Sequence, residues 1–142
     1  TEEKFRVRYN ADLAAGLGNL AARVLTMARN AGVEAGSNSK EIKRADIKDL
    51  VDKTQKEVEE ALGDFKFNAG LESIWNVIHS CDRLIEQERP WEESSGQKGT
   101  ITTLLFALSA LGEMLTPFLP GTSEKLAQQL KTGPGESLFP RK

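Results

Sequence analysis

The sequence contains one cysteine and one histidine among its 142 residues, Cys81 and His79. A single cysteine excludes an internal disulfide framework and a cysteine-rich zinc site, and a single histidine makes a Ser-His-Asp triad or a histidine-rich metal site hard to build. The sequence also has no glycine loop that could cradle a phosphate and no nucleophile beside a base. We therefore expect no catalytic residues, no metal and no cofactor in this chain.

The sequence likewise has no large excess of charge of one sign. Nineteen Lys and Arg residues stand against 21 Asp and Glu residues, which gives a formal net charge of −2. This balance argues against a protein that coats nucleic acid, DNA included, without sequence specificity. The chain does not open with the basic and then apolar residues of a leader, so we expect no export. The composition is that of an ordinary globular domain, so we expect a soluble, cytoplasmic protein with a domain over 1–131 and an irregular tail over 132–142.

Apolar spacing predicts five helices and no strand, which indicates an all-α helical bundle. Asn38 and Glu41 fit a capping box that would open the second helix, and Thr122 or Ser123 could cap the fifth. The predicted segments are Glu2 to Gly32, Asn38 to about Gly63, Lys66 to Pro90, Lys98 to Phe118, and a short helix to about Lys131. Phe67 and Trp75 are predicted to point inward on the third helix.

The most apolar segment, from Ile101 to Leu119, raises the question of a membrane span. Glu113, Pro117 and three threonines within it argue against that interpretation. We expect this segment to be the buried central helix of the bundle, and we expect no membrane partner.

A polar flank of the first helix is the first candidate binding surface. Asn19 and Arg23 are four residues apart, so their side chains project next to each other, and together they offer the donors and acceptors that match the edge of a base. Gly16 and Gly18 are costly inside a helix, which calls for close helix packing or a close ligand. The alternative is a solvated flank with glycines at a helix crossing. The flank comprises Arg8, Asp12, Gly16, Asn19, Arg23 and Asn30.

Trp91 directly follows Pro90 and is the second candidate. A tryptophan at a rigid corner can stack on an unpaired base, and the alternative is a hydrophobic plug where the chain turns. Cys81 faces inward and is interpreted as inert packing, and His79 as a surface histidine.

Several blocks of the sequence resemble the anticodon-binding domain of methionyl-tRNA synthetase, in the order of that family and over nearly the whole chain. The blocks are Arg8-Tyr-Asn-Ala-Asp-Leu-Ala14, Gly18-Asn-Leu20 with Arg23, Lys66-Phe-Asn68 with Trp75, Arg89-Pro-Trp91, Leu115-Thr-Pro-Phe-Leu-Pro120 with Leu126 and Leu130, and Leu138-Phe-Pro-Arg141. The Pro-Trp and Pro-Phe-Leu-Pro elements are shared more loosely among class I synthetases. The residues from Asn10 through Arg23 and the closing Leu138-Phe-Pro-Arg141 point to the methionyl member.

The resemblance implies that Asn19, Arg23 and Trp91 contact the CAU anticodon of methionine tRNA, chiefly its wobble cytosine. Asp82 and Leu84 stand where the family commonly has Asn and Tyr shortly before Pro-Trp. The His-x-Gly-His-type and Lys-Met-Ser-Lys-Ser motifs of the catalytic domain, which would use ATP, are not in this sequence. The resemblance therefore implies a C-terminal domain whose partners are tRNA and the catalytic domain of the same enzyme. The alternatives are the same domain from a leucyl, isoleucyl, valyl or cysteinyl synthetase, and a helical protein-interaction module.

Overall fold

The computed structural model describes residues 2–33 and 44–132, and these residues form five helices without a strand. The predicted all-α bundle is confirmed. The helices are α1 (Glu2–Ala31), α2 (Ala45–Gly63), α3 (Phe67–Glu88), α4 (Gln97–Leu115) and α5 (Pro120–Thr132).

Contacts between the helices fix their relative directions. Arg44 at the start of α2 pairs with Glu88 at the end of α3, so α2 and α3 are antiparallel. The Phe118 ring, just beyond α4, lies edge-on to Phe67 at the start of α3, so α3 and α4 are also antiparallel. Gly16 lies against Trp75 and Arg23 pairs with Glu86, so α1 runs in the same direction as α3. The C-terminal ends of α1 and α3 therefore lie at the end of the bundle where α2 and α4 begin.

The centre of the bundle is α4, as predicted for the apolar segment. Its leucines at 104, 105, 108, 111 and 115 are all buried, and so are three of its threonines. The hydroxyl of Thr103 donates to the carbonyl oxygen of Gly99 at 2.8 Å, which satisfies a polar group inside an apolar core. Among the residues described, no helix is long and apolar enough to cross a membrane.

The predicted start of the second helix is wrong, because α2 begins at Ala45. Arg44 has φ −105° and ψ 86°, which is not helical, and its guanidinium binds both carboxylate oxygens of Asp46 at 3.0 Å. This bidentate pair holds the chain at the helix entrance and also lowers the pKa of Asp46, mainly through the hydrogen bond from Arg44. The capping box at Asn38 and Glu41 lies outside the described residues.

Three further boundaries differ from the prediction. Helix α4 ends at Leu115 rather than Phe118, and α5 begins at Pro120, so Thr122 and Ser123 lie inside it. The Ser123 hydroxyl does not cap α5. It donates to the carbonyl oxygen of Gly112 at 2.6 Å and thereby ties α5 to α4. Thr132 is helical, whereas the predicted tail from 133 onwards lies outside the described residues.

The predicted inward position of Phe67 is wrong. Phe67 is the first residue of α3 and is 47% exposed, because the helix begins there, and the Phe118 ring contacts it edge-on. A periodic pattern does not show where along a helix its apolar face stops being covered.

Candidate nucleic-acid interface

Helices α1 and α3 form a groove that contains two of the three predicted site residues. Gly16 of α1 lies against Trp75 of α3, and Arg23 of α1 pairs with Glu86 of α3, so the two helices run in the same direction. We call this surface the α1–α3 groove. Its α1 side consists of Gly16, Asn19 and Arg23, and its α3 side consists of Trp75, His79, Asp82 and Glu86.

Close helix packing explains the glycine at position 16. A Cβ atom there would lie 2.8 Å from Cη2 of Trp75, closer than atoms in real packing approach each other. The Trp75 ring is half-buried against the core and stacks on His79, with 4.9 Å between the ring centroids. The prediction that Trp75 packs inward is therefore confirmed in part, since one part of the ring forms the floor of the groove.

Asn19 and Arg23 are both exposed on the groove side of α1. Nη2 of Arg23 lies 3.5 Å from Oε1 of Glu86, and the two side chains are 45% and 72% exposed. An ion pair of this length between exposed groups contributes about 0–1 kcal/mol, so an incoming ligand could break it at small cost. Arg23 is thus positioned by Glu86 without being fixed there.

Asp82 lies one turn before Glu86 on α3 and is half-buried in the groove. Burial raises the pKa of its carboxyl group. Electrostatic interactions with Arg23 and His79 oppose this rise, and the interaction with Glu86 adds to it. The groove therefore holds a carboxylate whose charge is costly in the folded domain.

This cost leads to a prediction about stability. The pKa of Asp82 is higher in the folded domain than in the unfolded chain. The ionised carboxylate therefore lowers the free energy of unfolding at neutral pH, and this loss disappears as the pH falls through the folded-state pKa. Asp82→Asn should raise the thermal midpoint at pH 7, and the gain should shrink as the pH is lowered towards 4. Thermal unfolding followed by circular dichroism at several pH values checks this. A gain that is constant with pH would show that the charge is not its cause.

Trp91 occupies an exposed corner just beyond α3. Arg89 ends the helix in a left-handed conformation with φ 49°, and Pro90, which follows, is buried. Nε2 of Gln97 donates to the carbonyl oxygen of Pro90 at 3.1 Å and so ties the corner to α4. Trp91 is 48% exposed, with the guanidinium carbon of Arg89 5.6 Å from its ring centroid. The interpretation of Trp91 as a buried plug is thus wrong, because the corner directs the ring towards solvent.

The corner follows the end of the helix that forms one side of the groove. Trp91 comes five residues after Glu86, the residue that pairs with Arg23, at the end of the bundle where α1 also ends. Asn19 and Arg23 are therefore neighbours on one helix, and Trp91 lies beyond the end of the other helix that lines the same groove.

Sequence reasoning missed the acidic side of the groove. It treated Asp82 only as a departure from a family pattern and did not single out Glu86 or Arg89. Trp75, His79, Asp82 and Glu86 follow the helical spacing of four, three and four residues, which was the available signal for one common face. That this face meets α1 depends on the tertiary structure.

Cys81 is inert packing, as predicted. Its side chain is 1% exposed, and burial, with a smaller contribution from Asp82, raises the thiol pKa to about 12. A thiol with so high a pKa supplies almost no thiolate at neutral pH.

Comparison with known proteins finds similarity to one part of tRNA ligases. Residues 46–141 match the family model described as the anticodon-binding domain of tRNA ligase. The chain is 34% identical to the methionine–tRNA ligase of Clostridium perfringens over 138 residues, which are 92% of this chain and 21% of that protein. It is 33% identical to the methionine–tRNA ligase of Lactococcus lactis subsp. lactis over 139 residues, with the same 92% of this chain and 21% of that protein covered.

The fold has a counterpart among solved structures. Mycobacterium tuberculosis methionyl-tRNA synthetase in its apo form superposes with a TM-score of 0.67 over 99% of this chain and 32% of that chain. At 22% sequence identity this likeness shows the common fold. The chain spans about a fifth of the length of the curated relatives it matches.

Proposed function

Because the chain belongs to the family of anticodon-binding domains of tRNA ligases, we propose that it binds the anticodon loop of methionine tRNA as part of a methionine–tRNA ligase. The observation that carries this proposal is the α1–α3 groove, where Asn19 and Arg23 are exposed on α1 and Arg23 pairs with Glu86, five residues before exposed Trp91. The choice of methionine over leucine, isoleucine, valine or cysteine rests on the names of the relatives.

The chemistry of the three side chains suits a splayed cytosine. Cytosine offers a donor at its amino group and acceptors at its ring nitrogen and carbonyl oxygen. Uracil has an acceptor in place of the amino group and a donor at the ring nitrogen. Arg23 supplies donors only, and the Asn19 amide supplies one acceptor and two donors, so together they can match the cytosine pattern. A site built on such bonds rejects uracil because its polar groups would then be left unpaired.

Trp91 supplies the apolar half of the contact. An exposed indole at a corner fixed by Pro90 and Gln97 loses little conformational freedom when a base stacks on it. Stacking of this kind contributes about 1–3 kcal/mol per base. The guanidinium of Arg89 lies over the ring and adds a positive charge to the stacking surface.

The domain provides recognition, and we assign aminoacylation with ATP to other parts of a longer enzyme. The relatives are about five times as long as this chain, and their remaining domains would hold other parts of the tRNA. Anticodon binding then adds to an existing interaction through effective concentration. The isolated domain, with a net charge of −2, should bind RNA weakly and more weakly still as salt rises.

Low-salt titration with two anticodon stem-loops that differ only at the wobble base tests the proposal. We expect the cytosine loop to quench tryptophan fluorescence at lower concentration than the uracil loop, because only cytosine matches the polar groups. The Trp91→Phe variant keeps Trp75 as its remaining tryptophan. It should lose most of this quenching. Equal binding of both loops at every concentration and salt tested would contradict the proposal.

A further inference from the structure

The α1–α3 groove places a basic side chain, Arg23, and an acidic side chain, Asp82, on its two sides at the proposed anticodon contacts. Arg23 of α1 carries donors only, and the ionised carboxylate of Asp82 on α3 carries acceptors only. The two groups are close enough for the Arg23 charge to act on Asp82, and the ion pair between Arg23 and Glu86 joins the helices one turn further along.

Resting on the proposed function, we propose that Asp82 is a further specificity-determining residue, which accepts a hydrogen bond from the amino group of the wobble cytosine. Guanine pairs with cytosine through one hydrogen-bond acceptor and two donors along its pairing edge. Asp82 supplies the acceptor and the Arg23 guanidinium supplies the two donors, so the pair reproduces the pairing edge of guanine. A carboxylate accepting from the cytosine amino group is an established pairing in nucleic-acid recognition.

Asp82 suits this role better than Glu86 does. The Glu86 side chain is 72% exposed and already contacts Arg23, so water screens its charge. Asp82 is half-buried. In such surroundings a hydrogen bond to a charged acceptor is stronger, and a charged acceptor that lacks a donor costs more free energy. Its raised pKa marks a carboxylate that the free domain keeps at a cost in stability, as functional sites often do.

An aspartate at this position also rejects uracil. The carbonyl oxygen of uracil would face the carboxylate, so two acceptors would meet without a hydrogen between them. An asparagine could turn its amide and donate to the same oxygen, so at that oxygen it would accept either base. Asp82 thus gives this chain a stricter preference than an asparagine would.

Three stem-loops test the inference, with cytosine, uracil or 2-pyrimidinone (cytosine without its amino group) at the wobble position. The parent should bind the cytosine loop about tenfold tighter than the 2-pyrimidinone loop, and Asp82→Ala should reduce that ratio to within about threefold. Asp82→Asn should keep its affinity for cytosine and gain affinity for uracil, so the ratio of the two falls about tenfold. Removing a negative charge could raise the affinity for every RNA. The ratio of one variant's affinities for two stem-loops cancels such a general gain.

Glu72→Gln is the matched control, since it removes an exposed carboxylate from α3 nearly three turns before Asp82. It should leave both ratios unchanged, and circular dichroism checks that every variant is folded. If the parent prefers cytosine over uracil and both Asp82 variants keep the parental ratios, this inference is wrong while the proposed function stands. If the parent does not distinguish the two bases, both are wrong.

Discussion

Replacement of Arg23 with alanine should weaken binding of the cytosine stem-loop by about tenfold to a hundredfold. Arg23 is exposed on α1 and its contact with Glu86 is a long one of 3.5 Å, so its donors are available to a base. Paired hydrogen bonds from an arginine to a base contribute about 1–3 kcal/mol, which corresponds to this loss of affinity. The variant also leaves the half-buried Asp82 without its opposing positive charge. Anisotropy of a labelled stem-loop measures the effect without depending on a tryptophan.

A control must separate this loss from the general loss of a positive charge. Lys53→Ala removes an exposed cation from the ion pair with Glu57 on α2, at a surface remote from the α1–α3 groove. We expect it to weaken binding of cytosine and uracil loops equally and slightly. Arg23→Ala should in addition reduce the preference for cytosine. If both variants weaken binding to the same extent and keep the preference, Arg23 is only a general attractor of phosphate.

Leu126→Ala should lower the free energy of unfolding by about 2–5 kcal/mol, the usual cost of removing a fully buried leucine. Leu126 is the one buried residue of α5, with 0% exposure. Its Cδ2 lies 3.3 Å from where a Cβ of Gly112 would be, so the leucine fills the space that this glycine leaves on α4. The polar contacts would remain, among them the hydroxyl groups of Ser123 and Thr116, which lie 2.9 Å apart.

Urea denaturation gives the change in free energy, and amide hydrogen exchange locates it. We expect the α5 amides to lose protection before those of α3 and α4, because α5 has no second buried anchor. Leu130→Ala is the matched control, since this leucine is on the same helix and only partly buried against the core. Equal costs for the two substitutions would show that burial of Leu126 does not hold α5 in place.

The fold could be predicted from the sequence because each helix carries its own periodic signal. The leucines of α4 and the apolar positions of α1 repeat every three or four residues, and burial of those side chains is confirmed. The boundaries were less certain because tertiary contacts decide them. Arg44 pairs with Asp46 and Glu88 and sets the start of α2, and the Ser123 hydroxyl binds Gly112 of α4 instead of capping α5.

The sequence by itself determined the residue types of the proposed site and their local spacing. Asn19 and Arg23 had to be neighbours if α1 was a helix, and Pro90 had to place Trp91 at a corner. The resemblance to a family assigned these residues a role, but no local rule connects α1 with α3. Only the tertiary structure decided that Gly16 admits Trp75 and that Arg23 faces Asp82 and Glu86. The reason is physical: spacing along a helix follows from backbone geometry, whereas the meeting of two helices depends on how the whole core packs.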